Sequence, residues 1–267
     1  MTGQVLLNQL WCPYSHMVQT QNMWRGKKLA NVEYECRSDS IAIITLNRPE
    51  RLNAFNGEML ADLITVLDEF DRDDSASVAV INGAGKSFCA GADVKALAEL
   101  GELPGGKHSQ DLLYQCKNWK PVVAAVHGYV LGMSIELTFQ SEIVIAARST
   151  RFQVTETLRG VSTGPIWPIL QYRAGVTFAN SASLTGRFFD AEEAKAYHLV
   201  NEVTEDGDHL SVAIEHARVL AELPQASVRQ VVRVARWYME QHQRQSVPFF
   251  EQTRHLTSTA AFEEFKN

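Results

Sequence analysis

Four strand-length runs of branched and small apolar residues constrain this 267-residue chain more than any other feature: 41–46, 78–81, 122–126 and 143–147. Ile41-Ala42-Ile43-Ile44-Thr45-Leu46 shows no polar alternation, so it reads as a strand buried on both faces. Val78–Ile81 is a second buried strand, closed by Asn82-Gly83-Ala84-Gly85. Val32-Glu33-Tyr34-Glu35-Cys36 alternates and predicts a half-buried strand. Between the strands the period changes to helical. Met59, Leu60, Leu63, Ile64, Leu67 and Phe70 form one stripe over residues 57–70. Helices are also expected over 94–100, 109–119 and 132–140. The recurring order of strands and helices predicts an α/β fold of repeated β-β-α units.

After about Ala179 the strand signals fade. Residues 179–187, 191–198, 208–222, 226–242 and 247–255 read as helices. The expected organisation is an irregular N-terminal extension over 1–30, an α/β core over 31–200 and a helical region over 201–267. With 45% hydrophobic residues, the chain can bury a large core without a metal or disulfide staple. No apolar run reaches the ~18 residues of a membrane span. The net charge of -6 argues against a nucleic-acid partner, whose footprint would be basic.

The four cysteines, Cys12, Cys36, Cys89 and Cys116, are widely spaced and make no zinc pattern. Reduced thiols in a cytoplasmic setting are expected. Residues 1–32 contain no Asp or Glu, which also fits a mitochondrial transit segment, but basic residues are few. Trp11-Cys12-Pro13-Tyr14-Ser15 has the outline of a monothiol redox motif. The residues after it lack the helical apolar stripe such a motif needs, so an irregular extension is the reading.

Three turns hold the residues able to carry chemistry. Ser87-Phe88-Cys89-Ala90-Gly91-Ala92-Asp93-Val94-Lys95 leaves a buried strand and enters an expected helix. Small residues allow close approach of a ligand to the backbone, and amides at a helix start favour an oxyanion. The plain alternative is a loop with Asp93 as an N-cap. The second turn, His127-Gly128-Tyr129-Val130-Leu131-Gly132-Met133-Ser134-Ile135-Glu136, places the Met133 amide in a first helical turn with Glu136 on the same face. Glu136 among Ile135, Leu137 and Phe139 is either a buried structural acid or a functional one. The third turn carries Glu156, twenty residues further on, which spacing alone would pair with Arg159 on the surface. Two carboxylates near one site suit acid/base work.

Together these segments resemble the crotonase superfamily, also called enoyl-CoA hydratase/isomerase. The likeness runs from about Val32 to Lys266. Asn47-Arg48-Pro49 with Leu52-Asn53-Ala54-Phe55 is similar to its opening signature. Phe88–Asp93 is similar to its first oxyanion turn, and Pro121–Gly128 to its central strand and turn. Leu184-Thr185-Gly186 with Ala191-Glu192-Glu193-Ala194 resembles a later helical signature. The resemblance implies a crotonase-like spiral and an acyl-CoA thioester substrate. It implies an oxyanion hole from the amides of Ala92 and Met133. Leu52, Ala54, Ala90, Ala92, Asp93, Val94, Lys95 and Gly132 would line the CoA and acyl site. Glu136 and Glu156 match the two glutamates of hydratases, which exchange protons with water and with the α-carbon. The implied reaction is reversible hydration of a 2-enoyl-CoA to a 3-hydroxyacyl-CoA. No metal or redox cofactor is implied, and coenzyme A enters as part of the substrate. A homotrimer or dimer of trimers is implied, with the C-terminal region taking part.

The chain departs from the family pattern in places. Met133 stands in a run of usually small residues. Thr155 stands where proline commonly precedes the second glutamate. Ser162-Thr163-Gly164-Pro165-Ile166-Trp167-Pro168 replaces a Gly-rich stretch, and His198 replaces a common glycine. Met133 is expected to narrow the acyl pocket and Trp167 with the two prolines to reshape it, while His198 is expected to act only locally. An isomerase using chiefly Glu156, a decarboxylase or dehydratase using the same oxyanion hole, and an idle CoA-binding scaffold are the alternatives.

Overall fold

The computed structural model describes residues 27–93, 113, 116–164 and 166–265. Among these residues, ten strands form two sheets. The larger is built from β1 (Lys27–Lys28), β2 (Val32–Cys36), β3 (Ile41–Leu46), β4 (Val78–Gly83), β5 (Val122–Val126), β7 (Ile143–Ala147) and β10 (Glu202–Thr204), neighbours in that order. β1, β2 and β3 pair antiparallel, and every pairing from β3 through β10 is parallel. The smaller sheet joins β6 (Tyr129–Leu131), β8 (Arg151–Gln153) and β9 (Phe188–Asp190).

Parallel neighbours need crossovers, and the helices supply them. Helix α1 (Gly57–Arg72) connects β3 to β4. Its N-cap Asn56 accepts a hydrogen bond from the Met59 N–H at 2.9 Å, satisfying one first-turn donor. Its buried stripe is Met59, Leu63, Val66, Leu67 and Phe70, as the spacing predicts. Helix α2 (Met133–Gln140) is buried at all eight positions. α3 (Ile166–Ala174), α4 (Val176–Thr185) and α5 (Ala191–Ala196) follow, then α6 (His209–Glu222) and α7 (Gln225–Phe265).

Alternate side chains of one strand serve different cores. Ala79 and Ile81 of β4 face the main core with α1, α2 and the small sheet. Val78 and Val80 face a second cluster with Val123, Ala125 and Ile145, covered by Ala213 and Ala217 of α6. This two-sided burial explains why the central strands read as unbroken apolar runs.

Three expectations need correction. The strand signals do not end at Ala179: β9 and β10 are strands of three residues. Each is too short for a period to register, and neighbouring strands supply their pairing. The helices expected at 226–242 and 247–255 are one helix, α7, with Pro248 inside it. Residues 116–119 are irregular chain with a bend at 117–118 rather than helix. The expected helix over 94–100 and the first part of that over 109–119 lie outside the described residues. His198 adopts φ +63°, a left-handed conformation that a glycine would take more easily.

Candidate active site

The first turn is assembled from the inside. Asn53, fully buried, directs its side-chain amide to the carbonyls of Ala84, Ser87 and Phe88 at 2.8, 2.8 and 3.1 Å. Its Oδ1 accepts from the Arg48 N–H at 2.8 Å. Leu52 and Asn53 both have positive φ, so two left-handed residues turn the chain sharply. The Ala90 N–H donates to Leu52 O, and the Phe55 N–H donates to Gly91 O. The Asp93 N–H then donates to Phe55 O at 2.8 Å. Phe55 thus bonds to the residues on either side of Ala92 in a short parallel bridge. In that geometry the N–H of Ala92 faces the opposite side, away from Phe55.

The Arg48 guanidinium bonds Asp93 at 2.8 Å and Ala54 O at 3.0 Å. It therefore ties the segment around Leu52 and Ala54 to the one that ends at Asp93. Val94 and Lys95, the remaining members of the expected CoA-binding stretch, lie outside the described residues.

The second turn is stitched to the first. Cys89 N–H donates to Tyr129 O, and Leu131 N–H donates to Cys89 O, at 3.0 and 3.1 Å. The Ser134 hydroxyl bonds the carbonyls of both Cys89 and Leu131. Gly91 has φ +84°, and a Cβ there would stand 2.5 Å from Leu131 O. Only glycine lets the two turns approach this closely. Gly132 caps α2 with φ +52° and ψ -125° and offers no capping side chain. Met133 opens the helix, so its N–H has no preceding helical carbonyl to meet.

The two glutamates stand on different elements, and only Glu156 is placed against Gly132. Glu136 is 1% exposed on the first turn of α2, and its Oε1 accepts from Gln140 Nε2 at 3.1 Å. Glu156 follows β8. The Gly132 N–H donates to Gln153 O at 2.9 Å, which fixes the end of β8 against the second turn. A Cβ on Gly132 would stand 2.8 Å from Oε1 of Glu156 and 2.8 Å from the Thr155 hydroxyl oxygen. Oε2 of Glu156 is buried with no hydrogen-bond partner among the described residues. Burial pushes its pKa up to about 7, against lowering by hydrogen bonds from its own and the Thr155 amides and by the Arg159 charge. The surface pairing with Arg159 suggested by spacing is therefore not what governs this acid. Met133 and Ile135 belong to the main apolar cluster, and Trp167 packs partly buried against it.

The family model described as enoyl-CoA hydratase/isomerase matches residues 36–266. The chain belongs to this family. It is 33% identical to (E)-benzylidenesuccinyl-CoA hydratase of Thauera aromatica over 74% of the chain and 79% of that protein. It is 35% identical to 1,2-epoxyphenylacetyl-CoA isomerase of Escherichia coli K12, over 69% of the chain and 74% of that protein. Among solved structures, an enoyl-CoA hydratase/isomerase from Pseudoalteromonas atlantica T6c superposes with a TM-score of 0.77 at 26% identity. That match covers 88% of this chain and 97% of the other. Relatives of similar identity thus include both a hydratase and an isomerase.

Within this member of the family, sequence reasoning missed the groups that hold the site residues. Gln153 Nε2 donates to Gly186 O at 2.7 Å, and the Thr157 hydroxyl donates to Ser183 O at 2.6 Å. The segment bearing Glu156 is thereby clamped at both ends to the last turn of α4. No local pattern announces such bonds, because their partners lie 33 and 26 residues away. Asn53 carried a usable signal, since Asn is among the few residues that tolerate a left-handed backbone.

Proposed function

We propose that this protein catalyses reversible addition of water to a 2-enoyl-CoA thioester. In this reading the N–H groups of Ala92 and Met133 hold the thioester oxygen. Glu136 takes a proton from water as its oxygen attacks the β-carbon. The double-bond electrons move toward the thioester, and the enolate is held by the two amides. Glu156 delivers a proton to the α-carbon, and the reverse reaction takes the same steps backwards. The two amides and two carboxyls supply this chemistry without a metal or redox cofactor, and coenzyme A belongs to the substrate.

The observation that carries the reading is Glu156. A dry carboxyl with a pKa near 7 lies against Gly132, the residue immediately before the Met133 amide. Near neutral pH such a group can both give and accept a proton. Fixed donors beside it add the usual contribution of an oxyanion hole, about 3–4 kcal/mol for each donor lost.

A second reading is favoured by the enclosure of Glu136, 1% exposed and bonded to Gln140. If Glu136 stays out of the chemistry, Glu156 alone shuttles a proton and the protein is an enoyl-CoA isomerase. Purified protein mixed with a panel of 2-enoyl-CoAs decides between them. Loss of conjugated-thioester absorbance with a water adduct by mass supports hydration. A shifted double bond of unchanged mass supports the isomerase. Bound ester with no chemical change refutes both and leaves a CoA-binding scaffold.

Self-association into a trimer or a dimer of trimers belongs to the same proposal. Val231, Val234, Trp237 and Tyr238 of α7 are exposed and give it an apolar surface to use. Sedimentation of the purified chain tests it, and a monomer at micromolar concentration refutes it. A cytoplasmic location is proposed with it. No helix among the described residues is long and apolar enough to cross a membrane.

A further inference from the structure

We propose that Gln140 is a positioning residue for Glu136: its side-chain amide holds Oε1 of the glutamate and fixes how that carboxylate sits on α2. The inference rests on the reading of Glu136 as the group that takes a proton from water. Met133, Glu136 and Gln140 fall on one face of α2 by the i, i+3 and i+7 spacing. Gln140 closes that helix and is fully buried. Its Nε2 donates to Oε1 of Glu136 at 3.1 Å, and its own Oε1 accepts from the Leu113 N–H at 3.3 Å. A backbone N–H can only donate, so Leu113 takes the oxygen of the amide and leaves the nitrogen turned to Glu136. A flip of the amide would break both bonds in a dry environment. Leu113 is itself anchored. It is fully buried, and its carbonyl accepts from Arg236 Nη1 at 3.3 Å and from the Cys116 N–H at 3.2 Å. The orientation of Glu136 is thus set by a chain of bonds that starts on α7, passes through one peptide unit and ends on the carboxylate.

An amide N–H bonds a carboxylate more strongly than a neutral carboxyl, so the pair suits an acid that must receive a proton. Gln140→Met keeps the side-chain length and removes both the donor and the acceptor. Gln140→Glu keeps the shape and the acceptor for Leu113, and puts a second carboxyl beside Glu136. At the 3.1 Å spacing of this pair, two carboxyls share a proton rather than both ionise.

The test reads the Glu136 carboxylate in the ligand-free protein at pH 7, from its infrared band assigned by difference against Glu136→Gln. In folded Gln140→Met that band is expected to move from its wild-type position. Hydration by the same variant is expected to lose about tenfold in kcat, the rate equivalent of one hydrogen bond, with KM within about twofold of wild type. In Gln140→Glu a protonated-carboxyl band is expected in the difference against wild type, and it should vanish when Glu136→Gln is added. Circular dichroism checks folding, and Gln140→Glu carries the test if Gln140→Met does not fold. An unmoved carboxylate band in Gln140→Met overturns the proposal, as does full kcat in that variant. Two ionised carboxyls in Gln140→Glu at pH 7 overturn it as well. The infrared readout needs no substrate, so failure of this inference stays distinct from failure of the hydration reading. The latter shows in the wild-type protein itself, as no water adduct from any 2-enoyl-CoA.

Discussion

The carboxyl of Glu156 fills the space that a side chain on Gly132 would need, its Oε1 standing 2.8 Å from where that Cβ would be. Gly132 also holds φ +52° with ψ -125°, a backbone state nearly restricted to glycine. Gly132→Ala is expected to cost about 1–3 kcal/mol in stability from backbone strain. It displaces Glu156 and tilts the Met133 amide, so kcat/KM should fall about 100-fold or more. Kinetics and urea unfolding of the same preparation check this. Activity near that of the wild type would separate this corner from catalysis.

Glu156 also makes stability depend on pH. Its folded pKa of about 7 lies above the ordinary 4.5. Between those values the native state keeps a proton that the unfolded chain has lost. Its contribution is therefore full below pH 4.5 and is lost as pH rises through about 7. Glu156→Gln is neutral throughout, and should be more stable than wild type at pH 8 by on the order of 2 kcal/mol. The difference should shrink at pH 5. Urea unfolding of both proteins at the two pH values measures it, and equal gaps at both would contradict the assignment.

His209, at the start of α6, packs its ring against His127, tilted by 33° with ring centroids 4.6 Å apart. Burial pushes its pKa down to about 4, with the neighbouring His127 charge acting in the same direction. Here the unfolded chain takes up the proton first. Stability from the neutral His209 is present above pH 6.5 and is lost as pH falls toward 4. His209→Gln should flatten the acid limb of the stability curve. A histidine titration followed by NMR should place His209 well below the normal range, and a midpoint near 6.5 would refute the prediction.

Arg236 of α7 is 1% exposed and bonds both oxygens of Glu142, at 2.8 and 2.9 Å. It also donates to Lys120 O and Leu113 O. Glu142 in turn accepts from the Val122 N–H at 2.7 Å, so the long helix is tied to the central sheet through one ion pair. Arg236→Met leaves the partly buried Glu142 carboxylate without its cation, and should lose about 2–4 kcal/mol in urea unfolding. Adding Glu142→Gln should recover part of that loss. A single-variant loss under about 1 kcal/mol would show that the pair does not anchor α7.

Much of the site follows from local spacing. The glycines at 91 and 132 mark turns whose backbone angles other residues resist, and Met133 begins a helix where the second turn predicts one. Glu136 falls on the helical face expected from its distance to Met133. Glu156 is harder to read. Its spacing to Arg159 suggests a solvated pair, and only its packing against Gly132 shows a dry acid with a raised pKa.

The central strands, the stripe of α1 and the glycine turns were all written in short windows of the chain. Each depends on rules that act over a few residues: apolar run length, helical period and allowed φ and ψ. The three-residue strands β9 and β10, the continuity of α7 past Pro248 and the clamps on the Glu156 segment emerged only when distant segments packed together. So did the pairing of Arg236 with Glu142, 94 residues apart. The reason is physical. A hydrogen bond or a desolvated carboxyl depends on which remote segment arrives beside it, and that information is absent from any short stretch of sequence.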